Sequence, residues 1–172
     1  MLAELLVLNY LQKSNIVSNL KWVGYKGSTY DISTQNKEIE VKASLNKFDN
    51  SITISNQYQL YAGLTHEIYV LRFETSHNEI GIAIDDIVKE LKMNGYPEKE
   101  IENRLDTINL SKNSAIRRQK FILLNCKKYD LKDVTPLTVE KAMNNFLELD
   151  LVKKITVEID LANIKNEEIE LC

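Results

Sequence analysis

The sequence predicts an α/β fold, a mixed β-sheet flanked by helices. Three observations predict it. Residues 38–44 (Glu-Ile-Glu-Val-Lys-Ala-Ser) alternate polar and apolar, the period of a strand with one wet face. An apolar strand pattern at 67–74 follows after a stretch long enough for a helix, the layout of a parallel crossover. Apolar residues recur at helical spacing in 2–13 and again between 84 and 108.

Residues 2–13 predict the first helix, with Leu2, Leu5, Leu6 and Leu11 on one face. Residues 21–25 and 29–34 predict two strands joined by the turn Lys26-Gly27-Ser28. A second polar turn, Gln35-Asn36-Lys37, leads into the strand 38–44, so three strands form an antiparallel meander. After a polar loop from Asn46 to Asn50, residues 52–54 form a short extended piece. Ser55 caps a helix over 56–63 that ends near Gly63, and the strand 67–74 lies parallel to an earlier one.

The second half is more helical. Ile84, Ile87, Val88 and Leu91 mark a helix ending at Met93, and Gly95-Tyr96-Pro97 breaks it. Glu98 to Ile108 forms another helix, striped by Ile101, Leu105 and Ile108. A strand over 120–129, a helix from Thr138 to Leu147 and an alternating strand over 154–161 complete the pattern, and the tail Glu167-Glu168-Ile169-Glu170 reads as exposed. The 172 residues fit one domain, with a catalytic core in 1–75 and a C-terminal extension in 80–172.

Composition narrows the function classes. The chain is 44% hydrophobic and 27% charged, with 5 Gly and 2 Pro, so it is globular rather than disordered or fibrous. A formal net charge of −3 argues against coating nucleic acid by bulk charge. The two cysteines, Cys126 and Cys172, form no CxxC pair, which argues against structural zinc. Free thiols and no secretory signal point to the cytoplasm. The run Leu2 to Leu11 is too short to span a bilayer.

The chemistry-bearing stretch runs from Asp31 to Lys42. Alternation puts Glu38, Glu40, Lys42 and Ser44 on one strand face and Ile39, Val41 and Ala43 on the other. Glu40 and Lys42 then stand about 7 Å apart at Cα, at roughly 3.3 Å per residue. Antiparallel pairing across the turn can bring Asp31 beside Glu40, since neighbouring strands lie about 4.8 Å apart. Two carboxylates and a lysine suit metal-dependent phosphodiester hydrolysis: hard oxygens hold Mg²⁺, which polarises the phosphoryl group and acidifies a water. The lysine suits two roles, charge stabiliser or general base. The same letters also fit any half-exposed strand.

The helix, Trp22-Val-Gly, Tyr30-Asp31-Ile and Ile39-Glu40-Val41-Lys42-Ala-Ser44 together resemble the PD-(D/E)XK nuclease superfamily, which includes type II restriction enzymes. The chain looks most like a bacterial group described only as PD-(D/E)XK motif proteins, over roughly residues 1–75. Ile54-Ser55, Gln59-Leu60 and the strand Ile68 to Phe73 also match that group. The resemblance implies a restriction-endonuclease-like sheet, with Asp31 and Glu40 as metal ligands and Lys42 catalytic. The proline of the motif is replaced by Tyr30. Some members add a glutamate from the first helix, which nominates Glu4, and a glutamine from the crossover helix, which nominates Gln59 with Gln57 behind it.

Other features carry less. His66 and His77 read as isolated surface residues, and Tyr58, Tyr61 and Tyr69 as packing. Arg117, Arg118 and Lys120, and Lys127-Lys128, are the basic clusters that could grip phosphate. The expectation is a Mg²⁺-dependent endonuclease, Mn²⁺ substituting, acting on DNA in bacterial restriction or defence. Cutting both strands calls for two sites and hence a homodimer. The alternative is an inactive DNA-binding or assembly subunit with the same fold.

Overall fold

The computed structural model of the chain describes residues 1–14, 18–24, 28–46, 48, 50–55, 65–76, 80–130, 133 and 156–171. The expected helices over 56–63 and 138–147, the turn Lys26-Gly27, and with them Gln57, Tyr58, Gln59, Tyr61, His77 and Cys172, lie outside the described residues.

Helix α1 (Leu2–Ser14) is followed by β1 (Lys21–Trp22), β2 (Ile32–Ser33), β3 (Lys37–Ser44), β4 (Ser51–Ile54) and β5 (Thr65–Thr75). Then come α2 (Ile84–Met93), α3 (Glu98–Thr107), a 3-10 turn (Ala115–Arg118), β6 (Phe121–Asp130), β7 (Val157–Asp160) and β8 (Glu167–Glu168). The main sheet has the order β1-β2-β3-β5-β6-β8, and β4 and β7 form a separate pair. β1, β2 and β3 are the expected antiparallel meander. β3 and β5 run parallel, with Glu40 opposite Ile68, as the crossover pattern requires. β6 and β8 add antiparallel strands on the far side.

The alternation of β5 divides the core. Tyr69, Leu71 and Phe73 join Ile39, Val41, Trp22 and Ile32 under α1 and α2. Ile68 and Val70 face the other way, where Ile52, Ile54 and Ile159 of the small sheet and Leu161 just after it cover them. Helix α1 is buried nearly all round rather than on one face: Leu5, Val7 and Leu8 are fully enclosed, and so is Asn9. Each such leucine contributes about 2 kcal/mol of burial before its entropy cost. Buried Asn9 is satisfied by Glu90 Oε2 and by the Asn94 amide, each at 2.8 Å, which ties α1 to α2. Gly95, at φ +84°, ends α2, and Tyr96 N–H donates to Leu91 O at 2.9 Å, closing its last turn.

At the C-terminal end one expectation is borne out and one corrected. The strand expected over 154–161 is Val157–Asp160, and it pairs with β4 outside the main sheet. The acidic tail is docked rather than simply exposed. Its glutamates face water, but Ile169 and Leu171 are buried and Glu167 bonds Lys128 Nζ at 2.5 Å. Among the described residues, no helix is long and apolar enough to cross a membrane.

Candidate active site

The first two strands are far shorter than their sequence pattern suggested, and the site depends on that. The β2–β3 ladder pairs Ser33 with Glu38 and Ile32 with Ile39, and β2 begins there. The next step in this register sets Asp31 across from Glu40. The Asp31 amide still donates to Ile39 O at 3.1 Å. Further along β3, the Val41 N–H points to the same side and is taken by the Asp31 carboxylate, Oδ2, at 2.8 Å. A side chain therefore replaces a backbone acceptor, and a charged acceptor of this kind is worth about 1.5–3 kcal/mol.

The other carboxylate oxygen occupies space that only a glycine at position 24 leaves free. A Cβ added to Gly24 would lie 2.5 Å from Asp31 Oδ1 and 3.0 Å from its Cα. The amides of Val23 and Gly24 both donate to Asp31 O, at 2.8 and 2.9 Å, which holds the bare glycine against the acid. Gly24 is thus part of the site's construction, and its only signal in the sequence was a glycine just before a turn.

On β3, Glu40 is 6% exposed, and Lys42 Nζ stands 2.6 Å from Glu40 Oε1. Glu4 approaches from the first turn of α1: Trp22 Nε1–H donates to Glu4 Oε2 at 2.8 Å, and Glu4 Oε1 is 3.1 Å from the Met1 amino group. Asp31 feels all of these groups. Burial first, then the Glu40 and Glu4 charges, push its pKa from 3.8 to about 7, against the opposing pull of the Val41 N–H and Lys42. Glu4, Asp31, Glu40 and Lys42 therefore form one electrostatic unit, drawn from α1, the start of β2, and β3.

A second group of side chains flanks this unit. Glu38 precedes Glu40 by one strand repeat, and its parallel neighbour on β5 is His66. His66 Nε2 and Glu38 Oε2 stand 3.3 Å apart, and the His66 ring packs on Tyr30 with centroids 4.6 Å apart. Burial, then Glu38 and Glu40, push the Tyr30 hydroxyl up to about 12. His66 is 5% exposed, so the surface position expected for it is corrected: the register of the crossover, invisible in the sequence, carries it into the sheet. Tyr69 is buried, as expected of a packing residue.

The basic cluster separates. Arg117 is 2% exposed; its guanidinium donates to Asp85 and Glu102, both at 2.7 Å, and to Leu110 O. It has no free face for a phosphate, and the reading of it as a phosphate contact is corrected. Arg118 is exposed and Lys120 half-buried, and they line a groove of about 550 Å³ that also holds Lys89, Asp85 and Asp86. Lys128 is paired with Glu167.

The donor set fits a hard divalent cation. Among the described residues, no three acidic, histidine or cysteine side chains already stand as a closed metal cage. Mg²⁺ needs none, since it binds through one or two carboxylates and completes its shell with water and phosphate oxygens. The buried acids crowding Asp31 are an arrangement that a cation would relieve.

No curated protein and no solved structure matches the chain significantly. The family model described as "Putative PD-(D/E)XK family member (DUF4420)" matches residues 1–142, every element from α1 to β6. That match spans most of the chain, and the chain belongs to that family.

Proposed function

We propose that the chain is a metal-dependent endonuclease that hydrolyses phosphodiester bonds in DNA, as a homodimer when both strands are cut. Mg²⁺ is the cation, with Mn²⁺ as a substitute, and Asp31 and Glu40 hold it. The observation that carries the reading is the Asp31 carboxylate on the Val41 N–H, at the open end of the β2–β3 ladder and next along β3 to Glu40, whose Oε1 is 2.6 Å from Lys42 Nζ. A cation bound there would polarise the phosphoryl group and acidify a water.

The chain's own residues account for the rest. Asp31 is held at one carboxylate oxygen by the Val41 N–H, and the missing side chain of Gly24 leaves room for the other, so the acid is oriented before any ligand arrives. Lys42, tethered by Glu40 and only partly exposed, has its ammonium within reach of a phosphate oxygen beside the carboxylates. The role in bacterial restriction or defence rests on the resemblance alone, as does Gln59 as an added catalytic group. Arg118 and Lys120 are proposed as backbone contacts to the nucleic acid.

Supercoiled plasmid, single-stranded DNA and RNA incubated with Mg²⁺ test the proposal. Cleavage of DNA is expected from the wild type and is expected to be lost in Asp31→Ala and Lys42→Ala. No cleavage of any of the three with Mg²⁺ or Mn²⁺, with DNA binding retained, would favour the inactive-subunit alternative.

A further inference from the structure

We infer that Arg72 grips a backbone phosphate of the nucleic acid beside the scissile one, extending the site from Lys42 along the sheet. The inference rests on the reading of Glu40 and Lys42 as part of a phosphodiester-cleaving site, and it names a further contact to that substrate. Arg72, Arg104 and Arg117 are all buried. Burying a cation is unfavourable unless an anion matches it. Arg104 is matched by Glu100, and Arg117 by Asp85 and Glu102. Arg72, only 7% exposed, has no carboxylate partner among the described residues. Its hydrogen bond goes to a backbone carbonyl: Nη2 donates to Ser51 O at 3.1 Å, where β4 begins. Nε and Nη1 have no protein acceptor among the described residues, and neither is sealed from water. The planar fork of a guanidinium fits phosphate oxygens two at a time, so an anionic ligand would complete this environment.

The sheet register ties Arg72 to the site. β5 sends Tyr69, Leu71 and Phe73 into the core under α1, so Ile68, Val70 and Arg72 lie on the opposite face. β3 divides in the same way. Ile39 and Val41 pack under α1, which leaves Glu40 and Lys42 on the face of Arg72. In the parallel ladder Glu40 stands opposite Ile68, Lys42 opposite Val70 and Ser44 opposite Arg72. Arg72 is therefore one strand over from Lys42 and one side-chain repeat further along. With about 4.8 Å between strands and 3.3 Å per residue, the two lie about 8 Å apart at Cα. Two long cationic side chains at that spacing can hold neighbouring phosphates of one strand. Bracing β4 through Ser51 O is the competing role for Arg72, and removal of its charge separates the two.

Binding of a fluorescent mixed-sequence DNA duplex to the full chain is measured without metal at several KCl concentrations. One phosphate contact contributes about 0.9 to the slope of log K against log salt. Arg72→Gln keeps a donor for Ser51 O and removes the charge. It should weaken binding and lower the slope by about 0.9. In Mg²⁺ it should raise KM for cleavage and leave kcat in place, as a lost binding contact does. Arg72→Lys, which keeps the charge, should keep the slope. Wild-type affinity and slope in Arg72→Gln, or an equal loss of slope in both variants, overturns the inference, and cleavage by the wild type then spares the nuclease reading. A wild type that neither binds nor cleaves nucleic acid overturns both. Should Arg72→Gln fail to fold by circular dichroism, Ser44→Glu decides. It sets a carboxylate opposite Arg72, and it should raise the melting temperature and lower the slope; an unchanged slope overturns the inference.

Discussion

Asp31→Asn is expected to stabilise the protein while destroying the site. Burial and the charges of Glu40 and Glu4 raise the Asp31 pKa from 3.8 to about 7. The folded chain therefore binds this proton more tightly than the unfolded chain does. Between about pH 4 and pH 7 the fold holds more protons, so the contribution to stability falls as pH rises and is lowest above pH 7. Each pH unit of that interval is worth about 1.4 kcal/mol, which gives an upper limit near 4 kcal/mol. Relaxation around the charged acid and the weaker bond from Val41 N–H to an amide oxygen reduce this to about 2 kcal/mol. For a chain of this size that raises the melting temperature by about 4–8 °C. The assay is thermal unfolding of both proteins from pH 4.5 to 8.5 without metal and again with Mg²⁺. Without metal, the variant should exceed the wild type at pH 8 and converge with it near pH 4.5. With saturating Mg²⁺ the wild type should recover, by about 2.7 kcal/mol at a hundredfold excess over Kd, and the variant should not respond. A variant that is no more stable than the wild type at pH 8, with an unchanged pH slope, would refute the reasoning.

Lys42→Ala should lower the cleavage rate by about 10²–10³ with little change in calorimetric Mg²⁺ affinity, because its ammonium acts on substrate charge. Gly24→Ala should cost about 1–3 kcal/mol in urea unfolding, since its Cβ would press on Asp31 Oδ1 at 2.5 Å. It should also weaken Mg²⁺ binding by at least about tenfold, as a displaced ligand does. Arg117→Ala should destabilise by about 3–5 kcal/mol in urea unfolding, because Glu102 loses its buried partner. DNA affinity measured on the folded fraction should stay unchanged.

The legible part of this protein was its patterning. Alternation in 38–44 gave the shared face of Glu38, Glu40 and Lys42, and the β-branched run after it gave the parallel strand β5. Asp31 was readable as a candidate but not its geometry. That required β2 to begin only at Ile32, so that a carboxylate could take the Val41 N–H, and pairing length leaves no trace in a run such as Thr-Tyr-Asp-Ile-Ser-Thr. Arg117 looked like a surface cation beside Arg118. Its burial follows from Asp85 and Glu102, which lie 32 and 15 residues away and meet it only in the folded chain. His66 was misjudged for the same reason: Glu38 comes from the strand paired with β5 across the crossover, and Tyr30 from the segment just before β2. Trp22 was legible as a strand residue, but its burial and its indole acceptor on α1 were not.

The central claim is that Asp31 and Glu40 share one cation. The most direct measurement is the anomalous scattering of Mn²⁺ in crystals grown or soaked with that ion. The account predicts a peak touching both carboxylates at about 2.1 Å, beside the Lys42 ammonium, and its loss in Asp31→Asn. A peak held by other residues, or the two carboxylates bound apart with no ion between them, would contradict it.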